Sequence, residues 1–184
     1  MKKGICLLSM IPVMENASDK SRMVNQLLFG DRVQVVDVVN QWMLIENEED
    51  GSEGWVDSQQ IFTLQDDSPL MKEPYNNFYL ADAVTFARHK TRPVYLTLGS
   101  RLPAWNGKQI NVDGNIFTFD TPPNLYTGKK NAAQLAEIAK RFLGSPWFLG
   151  GRSIFGLDCS GFTQIVFKTA GIKLPRSSSN QALQ

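Results

Sequence analysis

The feature that most constrains the fold is a change in the spacing of apolar residues near residue 130. Before that point, short β-branched and aromatic runs are separated by turn residues such as Gly, Asp and Pro, as expected for small antiparallel β-units. Afterwards, Leu135, Ile138, Ala139 and Phe142 follow the period of one helix face, which ends at Gly144. The sequence therefore predicts an α+β chain, with β-units first and a helical part last.

The first β-unit is expected over residues 1–65, with a hairpin turn at Asp50-Gly51. Its segments 26–31, 41–42 and 50–56 resemble, in order and spacing, the bacterial SH3-like domain of cell-wall enzymes. The resemblance implies a small SH3-like β-barrel. Within it, Trp42 and Trp55 are interpreted either as barrel core and rim or as ligand-stacking residues.

The N-terminal segment has two interpretations. Two lysines followed by the apolar run 4–11 fit either a first β-strand or the charged and apolar regions of a secretory signal. No run approaches the roughly 20 apolar residues of a membrane helix. We therefore expect a soluble, cytoplasmic protein with reduced thiols, and a secreted or periplasmic location if residues 1–18 are a signal peptide.

A second small β-unit, also SH3-like, is expected over residues 66–126, after a polar linker that ends at Pro69. Residues 79–86 fit a short helix or a strand, whereas 110–119 predicts a hairpin that turns at Asp113-Gly114. The remaining residues, 127–184, form the helical part.

The charge balance and the scarcity of soft ligands exclude several functions. The chain has 19 Lys+Arg against 18 Asp+Glu, a net charge of +1, which argues against a nucleic acid or an anionic membrane surface as partner. Cys6, Cys159 and the single histidine, His89, are too few for a zinc site or a disulfide framework. The sequence implies neither a metal nor a cofactor.

Cys159 is the candidate nucleophile. It begins a second helical pattern, residues 159–170, with Asp158 at the N-cap position. Unpaired N–H groups and the helix dipole favour a thiolate there, and Gly150-Gly151 would let a substrate backbone approach. The pattern indicates acyl transfer. The alternative is a small buried hydrophobic residue at a helix end.

Three blocks in the last third, residues 144–153, 156–162 and 171–181, resemble the NlpC-type papain-like cysteine peptidases. Together with the SH3-like segment, they are most similar to the γ-D-glutamyl-L-diamino acid endopeptidases, or dipeptidyl-peptidase VI. The resemblance implies a helical N-terminal half of a papain-like domain. It also implies cleavage of the γ-D-Glu–diamino acid bond of L-Ala-γ-D-Glu-diaminopimelate in cell-wall recycling, with a murein tripeptide bearing a free N-terminal L-Ala as the partner.

The resemblance also assigns residue roles. Cys159 would attack the carbonyl, with its own N–H helping to hold the oxyanion, while Trp147 stands where the family commonly has Tyr. Asp158, and Asp31 in the first barrel, would meet the free amine of the peptide. The D-Glu carboxylate would meet Ser160, Arg176 and Ser178. The simpler alternatives are that Asp158 only caps the helix and that the Arg176 segment is an ordinary polar loop.

The base that a papain-like thiol requires has no candidate at the expected place. The family takes a histidine from several dozen residues after the nucleophile, but the one histidine here, His89, precedes Cys159. We therefore expect a truncated domain that is inactive alone and leaves Phe162, Ile165 and Val166 uncovered. Completion by a second copy through that exposed face is the alternative.

Three functions remain open at this stage. The first is the peptidase itself. The second is a non-catalytic module that binds cell-wall peptides through its barrels, with a degenerate peptidase remnant. The third is an acyltransferase that uses the same thiol.

Overall fold

The first part of the chain is an antiparallel sheet of seven strands. The computed structural model describes residues 2–72 and 78–184. The strands are β1 (Lys3–Cys6), β2 (Met10–Met14), β3 (Met23–Leu28), β4 (Arg32–Val39), β5 (Trp42–Asn47), β6 (Glu53–Asp57) and β7 (Ile61–Thr63). Their order is β3-β2-β6-β5-β4-β1-β7. Residues 3–14 therefore supply two strands, while Met1 lies outside the described residues.

Alternating side chains of these strands fill one core. Residues such as Val33, Met43, Ile45 and Val56 are buried, because successive strand side chains point to opposite faces. Gly51 has φ +68° at the tip of the turn between β5 and β6, where a positive φ favours glycine. The hairpin expected at Asp50-Gly51 is confirmed.

The second part also consists of strands. They are β8 (Tyr79–Leu80), β9 (Val84–His89), β10 (Arg92–Thr97), β11 (Gln109–Val112), β12 (Asn115–Thr118) and β13 (Leu125–Tyr126). Four form a sheet of order β10-β9-β12-β11, and β8 pairs with β13. Residues 79–80 and 84–89 are thus strands, not a helix. Asp113 and Gly114 both have positive φ, 48° and 84°, which is the geometry of a type I′ hairpin turn.

The third part is helical, as the change of period predicts. It comprises α1 (Ala132–Lys140), β14 (Arg152–Ser153), β15 (Gly156–Leu157), α2 (Cys159–Lys168) and α3 (Ser178–Gln181). The Asn131 side chain and Gln134 form a capping box at the start of α1. Within the described residues, no helix combines the length and the apolar character needed to cross a membrane.

The two main helices pack against both β-parts. Ile165 and Val166 of α2, 0% and 5% exposed, share a core with Leu28 of the first part and Leu98 of the second. The expectation that Ile165 and Val166 are uncovered is therefore wrong, because these β-parts supply the covering apolar side chains. Phe162 packs edge-on against Phe142 of the same core, with ring centroids 5.9 Å apart, and remains 36% exposed.

Candidate active site at the junction of the three parts

The start of α2 presents the thiol of Cys159 at the surface. Cys159 is exposed and is the first residue of the helix, and Asp158 caps it by accepting a hydrogen bond from the Gly161 N–H at 2.7 Å. Cys6 is completely buried, and burial raises the pKa of its thiol far above the ordinary value. Of the two cysteines, Cys159 is the one that a substrate can reach.

A pocket of about 450 Å³ lies beside this helix start. The first part, the α2 start and the segment before α3 all contribute to its wall. The wall residues with polar side chains include Asn25, Asp50, Ser52, Glu53, Asp158, Ser160, Arg176, Ser178 and Asn180. The pocket thus collects four predicted site residues, Asp158, Ser160, Arg176 and Ser178. Asp158 and Ser160 flank Cys159 in the chain, while Cys159 itself is not part of the pocket wall.

Arg176 organises one wall of the pocket. Its Nη1 and Nη2 donate to the two carboxylate oxygens of Asp158 at 3.0 and 2.8 Å, and Nη1 also donates to Ser160 Oγ at 2.9 Å. Its Nε donates to Asn25 Oδ1 at 2.9 Å. Because Asn25 lies on β3, the guanidinium ties the helical part to the first sheet.

The Asp158 carboxylate is held in its charged form. It accepts hydrogen bonds from Arg176, from the Gly150 N–H at 2.8 Å and from the Gly161 N–H. Burial alone would raise the pKa of Asp158, but these donors and the Arg176 charge lower it overall. Asp158 is therefore both a helix cap and the counterion of Arg176.

Asp31 does not lie in the pocket, contrary to the role that the resemblance implied. Its side chain is 1% exposed, and its two oxygens contact Lys168 Nζ and Arg152 Nη2, each at 2.6 Å. It also accepts a hydrogen bond from the Leu28 N–H. Both oxygens are thus engaged inside the protein, and Asp31 is an internal counterion that a ligand amine cannot reach.

Asp31 belongs to a buried cluster of charges that joins all three parts, which we call the ion cluster. Its acidic members come from the first part and its basic members from the other two. The members are Asp31, Glu49, Asp50, Arg101, Arg152 and Lys168. The three carboxylates balance the three cations, as burial of charge requires.

Glu49 bridges two of the cations. Its oxygens lie 2.7 Å from Arg101 Nη2 and 2.9 Å from Lys168 Nζ. Burial alone would raise the pKa of Glu49, but Lys168, Arg101 and Arg152 together lower it to about 2. Glu49 is therefore ionised at neutral pH.

The other predicted residues have different surroundings. Trp147 is 72% exposed, forms a backbone bridge with Leu157, and is not part of the pocket wall. His89 stacks on Phe117, and its Nδ1 lies 3.1 Å from the Ile116 carbonyl in the second part. The chain's single imidazole is thus engaged away from α2.

Asn25 and Asp50 are among the pocket residues that were not predicted as site residues. Asn25 binds Arg176, and Asp50 accepts hydrogen bonds from the Ser52 N–H and hydroxyl at 2.9 and 2.6 Å. Asp50 was visible in the sequence only as a turn residue, and Asn25 only as the neighbour of an SH3-like segment. No group of three or more His, Cys, Asp or Glu side chains in residues 2–72 and 78–184 is arranged to hold a metal ion.

Two segments of the chain that contribute residues to this site match known protein families. Residues 13–61 match the family model of the bacterial dipeptidyl-peptidase Sh3 domain, and residues 144–184 match the NlpC/P60 family. The chain is 27% identical over 186 residues to the γ-D-glutamyl-L-lysine dipeptidyl-peptidase of Bacillus cereus, covering 90% of this chain and 56% of that relative.

The enzyme of the same name from Bacillus subtilis is 27% identical over 170 residues, covering 85% of this chain and 56% of the relative. The chain thus spans about half the length of these curated relatives. The crystal structure of an NlpC/P60 family protein from Bacillus cereus superposes with a TM-score of 0.84 at 19% identity, covering 99% of this chain and 77% of that one.

The fold and both sequence matches agree. The chain is similar to γ-D-glutamyl-L-lysine dipeptidyl-peptidases over most of its length, with residues 13–61 matching the bacterial dipeptidyl-peptidase SH3 domain and residues 144–184 matching the NlpC/P60 family.

Proposed function

We propose that the chain carries the nucleophile and the substrate pocket of a cysteine endopeptidase of murein peptides, an activity that cleaves the γ-D-Glu–diamino acid bond of L-Ala-γ-D-Glu-diaminopimelate in cytoplasmic cell-wall recycling. One observation carries the proposal: the exposed thiol of Cys159 begins α2 beside a pocket walled by Asp158, Ser160 and Arg176. The names of the Bacillus relatives support the same bond type.

In this proposal, Cys159 attacks the substrate and polar residues of the pocket bind it. The Cys159 sulfur attacks the γ-carbonyl, and the free N–H groups at the start of α2 stabilise the oxyanion. A guanidinium has five N–H donors, and four of those of Arg176 donate hydrogen bonds to Asn25, Asp158 and Ser160. The remaining Nη2 N–H, together with Ser178, is available for the D-Glu carboxylate.

The substrate ammonium needs a carboxylate that still has room for a donor. Asp158 contributes charge but already accepts hydrogen bonds from Arg176 and backbone N–H groups. Glu53 lies at the exposed edge of the same pocket and has no ion pair among the described residues. We therefore propose that Glu53 binds the substrate ammonium and that the Asp158 carboxylate adds to the negative charge there.

The catalytic base limits what these 184 residues do alone. Thiol hydrolysis needs an imidazole within hydrogen-bond reach, and the single histidine packs on Phe117 in the second part. We expect no turnover of L-Ala-γ-D-Glu-diaminopimelate by the 184-residue polypeptide. This observation favours a second candidate function, a non-catalytic module that binds the same peptide.

Thiol labelling with peptide protection tests the site. Iodoacetamide should alkylate Cys159 and leave Cys6 unmodified, and L-Ala-γ-D-Glu should slow the reaction at Cys159. N-acetyl-L-Ala-γ-D-Glu, which lacks the ammonium, is the matched control and should protect much less. Equal labelling with and without the dipeptide would refute the pocket assignment.

A further inference from the structure

A second cavity of about 430 Å³ lies beside the candidate active site. It shares Met23 with the first pocket, so the two cavities adjoin. Its floor belongs to the first sheet, where Met14 and Met23 are cross-strand partners on β2 and β3. The function proposed above does not use this cavity.

An aromatic and an acidic side chain stand together in the cavity wall. Trp42 on β5 is directly opposite Asp57 on β6 in the register of that strand pair. Opposite residues of an antiparallel pair have Cβ atoms about 5 Å apart on the same face. The strand pairing therefore fixes the indole next to the carboxylate.

Phe148 supplies a second aromatic ring from the helical part. Its N–H donates to the Leu157 carbonyl at 3.1 Å, and its carbonyl accepts from the Gly151 N–H at 3.0 Å. Gly156 leaves room for the Phe148 Cβ, because a Cβ on Gly156 would lie 2.6 Å from it. Although its backbone is held on both sides, the Phe148 side chain is 55% exposed.

The charge of the cavity has one sign. Asp19 and Asp57 line it, and no Lys, Arg or His does. Neither carboxylate forms a salt bridge within the part of the chain that the structure describes. Asp57 uses one oxygen to accept from the Gln59 N–H at 2.9 Å, which leaves its second oxygen for a ligand.

We propose that this cavity is a binding site for an alkyl chain that ends in a primary ammonium, as in a lysine-type side chain. The ammonium lies between Asp57 and Asp19, where two carboxylates attract it. The methylene chain packs on Met14 and Met23, between the Trp42 and Phe148 rings, and an ammonium close to an indole face gains a cation–π interaction. The proposal depends only on this cavity and holds whether or not Cys159 is a nucleophile.

NMR titration of the full 184-residue protein with N-acetyl-L-lysinamide tests the proposal. The Trp42 indole N–H signal, assigned with the Trp42→Phe variant, should shift and saturate. N-acetyl-L-norleucinamide, which has the alkyl chain without the ammonium, should bind at least about fivefold more weakly. Asp57→Asn keeps the oxygen that caps the Gln59 N–H and should weaken lysinamide binding to a similar extent.

Asp66→Asn is the matched control, because it removes the same charge from an exposed position outside the cavity, and it should leave binding unchanged. The proposal is overturned if the Trp42 signal does not move. It is also overturned if norleucinamide binds as well as lysinamide, or if Asp57→Asn and Asp66→Asn have equal effects.

Discussion

Asp158 is both a helix cap and a pocket residue, the two roles that the sequence left as alternatives. As an N-cap it accepts from the Gly161 N–H, and as a pocket residue it pairs with Arg176. The cap was predictable because it depends on neighbouring residues. The Arg176 contact was not, because it joins residues 18 apart through a loop whose path follows from packing.

Removing the Asp158 carboxylate should destabilise the protein measurably. Asp158→Ala loses the cap and leaves Arg176 with an unpaired charge. We expect a loss of about 2–4 kcal/mol in the free energy of unfolding, less than for a fully enclosed pair because the pocket adjoins it. Urea unfolding provides the measurement.

The double variant Asp158→Ala/Arg176→Met is the control for this prediction. It removes both charges and should recover part of the loss. An Asp158→Ala variant as stable as the parent would show that the pair contributes nothing.

Asp31 illustrates a limit of residue-by-residue inference. The resemblance placed an acidic residue at this position, but it could not show which groups surround a carboxylate in this chain. The partners Arg152 and Lys168 follow 121 and 137 residues later. Contacts over such separations depend on how the three parts pack, which local pattern does not encode.

At the scale of elements, local signals predicted best. The Asp113-Gly114 turn and both main helices follow from turn chemistry and from the 3.6-residue period. Residues 79–86 were ambiguous, because their pattern fits a helix or a strand. Pairing of Leu80 with Leu125 decides the outcome there, and that pairing is a long-range contact.

The short strands β14 and β15 were not predicted. The sequence between the two helical patterns contains glycine, serine and proline, which are typical of loops. Their pairing, Arg152 with Leu157 and Ser153 with Gly156, places the Arg152 side chain in the ion cluster. A two-residue strand has no periodicity that a sequence could reveal.

At the scale of the whole molecule, the three parts are held together by charge as well as by apolar packing. Carboxylates of the first part meet Arg101 of the second part and Arg152 and Lys168 of the third. The apolar faces predicted to be uncovered are instead occupied by Leu28 and Leu98. The sequence could not supply this arrangement, since it depends on the mutual orientation of three separate parts.

Stability should therefore depend on pH in a defined way. The pKa of Glu49 is lower in the folded protein, so its contribution is present above the unfolded value near 4.5 and is lost as pH falls toward about 2. The pKa of the Cys6 thiol is raised on folding, so stability is lost as pH rises above the unfolded value of about 8.5. Urea midpoints should be highest between about pH 5 and 8.

Two variants test the acid and alkaline changes separately. Glu49→Gln should lower stability at neutral pH but reduce the loss of stability at acid pH, because the carboxyl group with the shifted pKa is gone. Cys6→Ala should reduce the loss of stability at alkaline pH and leave the acid dependence unchanged. Unaltered acid and alkaline slopes in these variants would disprove the assignment.

The central claim is that Cys159 is a nucleophile and that the adjoining pocket binds its substrate. Its most direct test is the reaction of the protein with an L-Ala-γ-D-Glu vinyl sulfone, in which the Cys159 sulfur adds to the activated double bond and forms a stable thioether. Intact-mass and peptide mapping should find one adduct, on Cys159 and not on Cys6, formed faster than with the γ-L-Glu epimer. No adduct, or equal rates for the two epimers, would contradict the account.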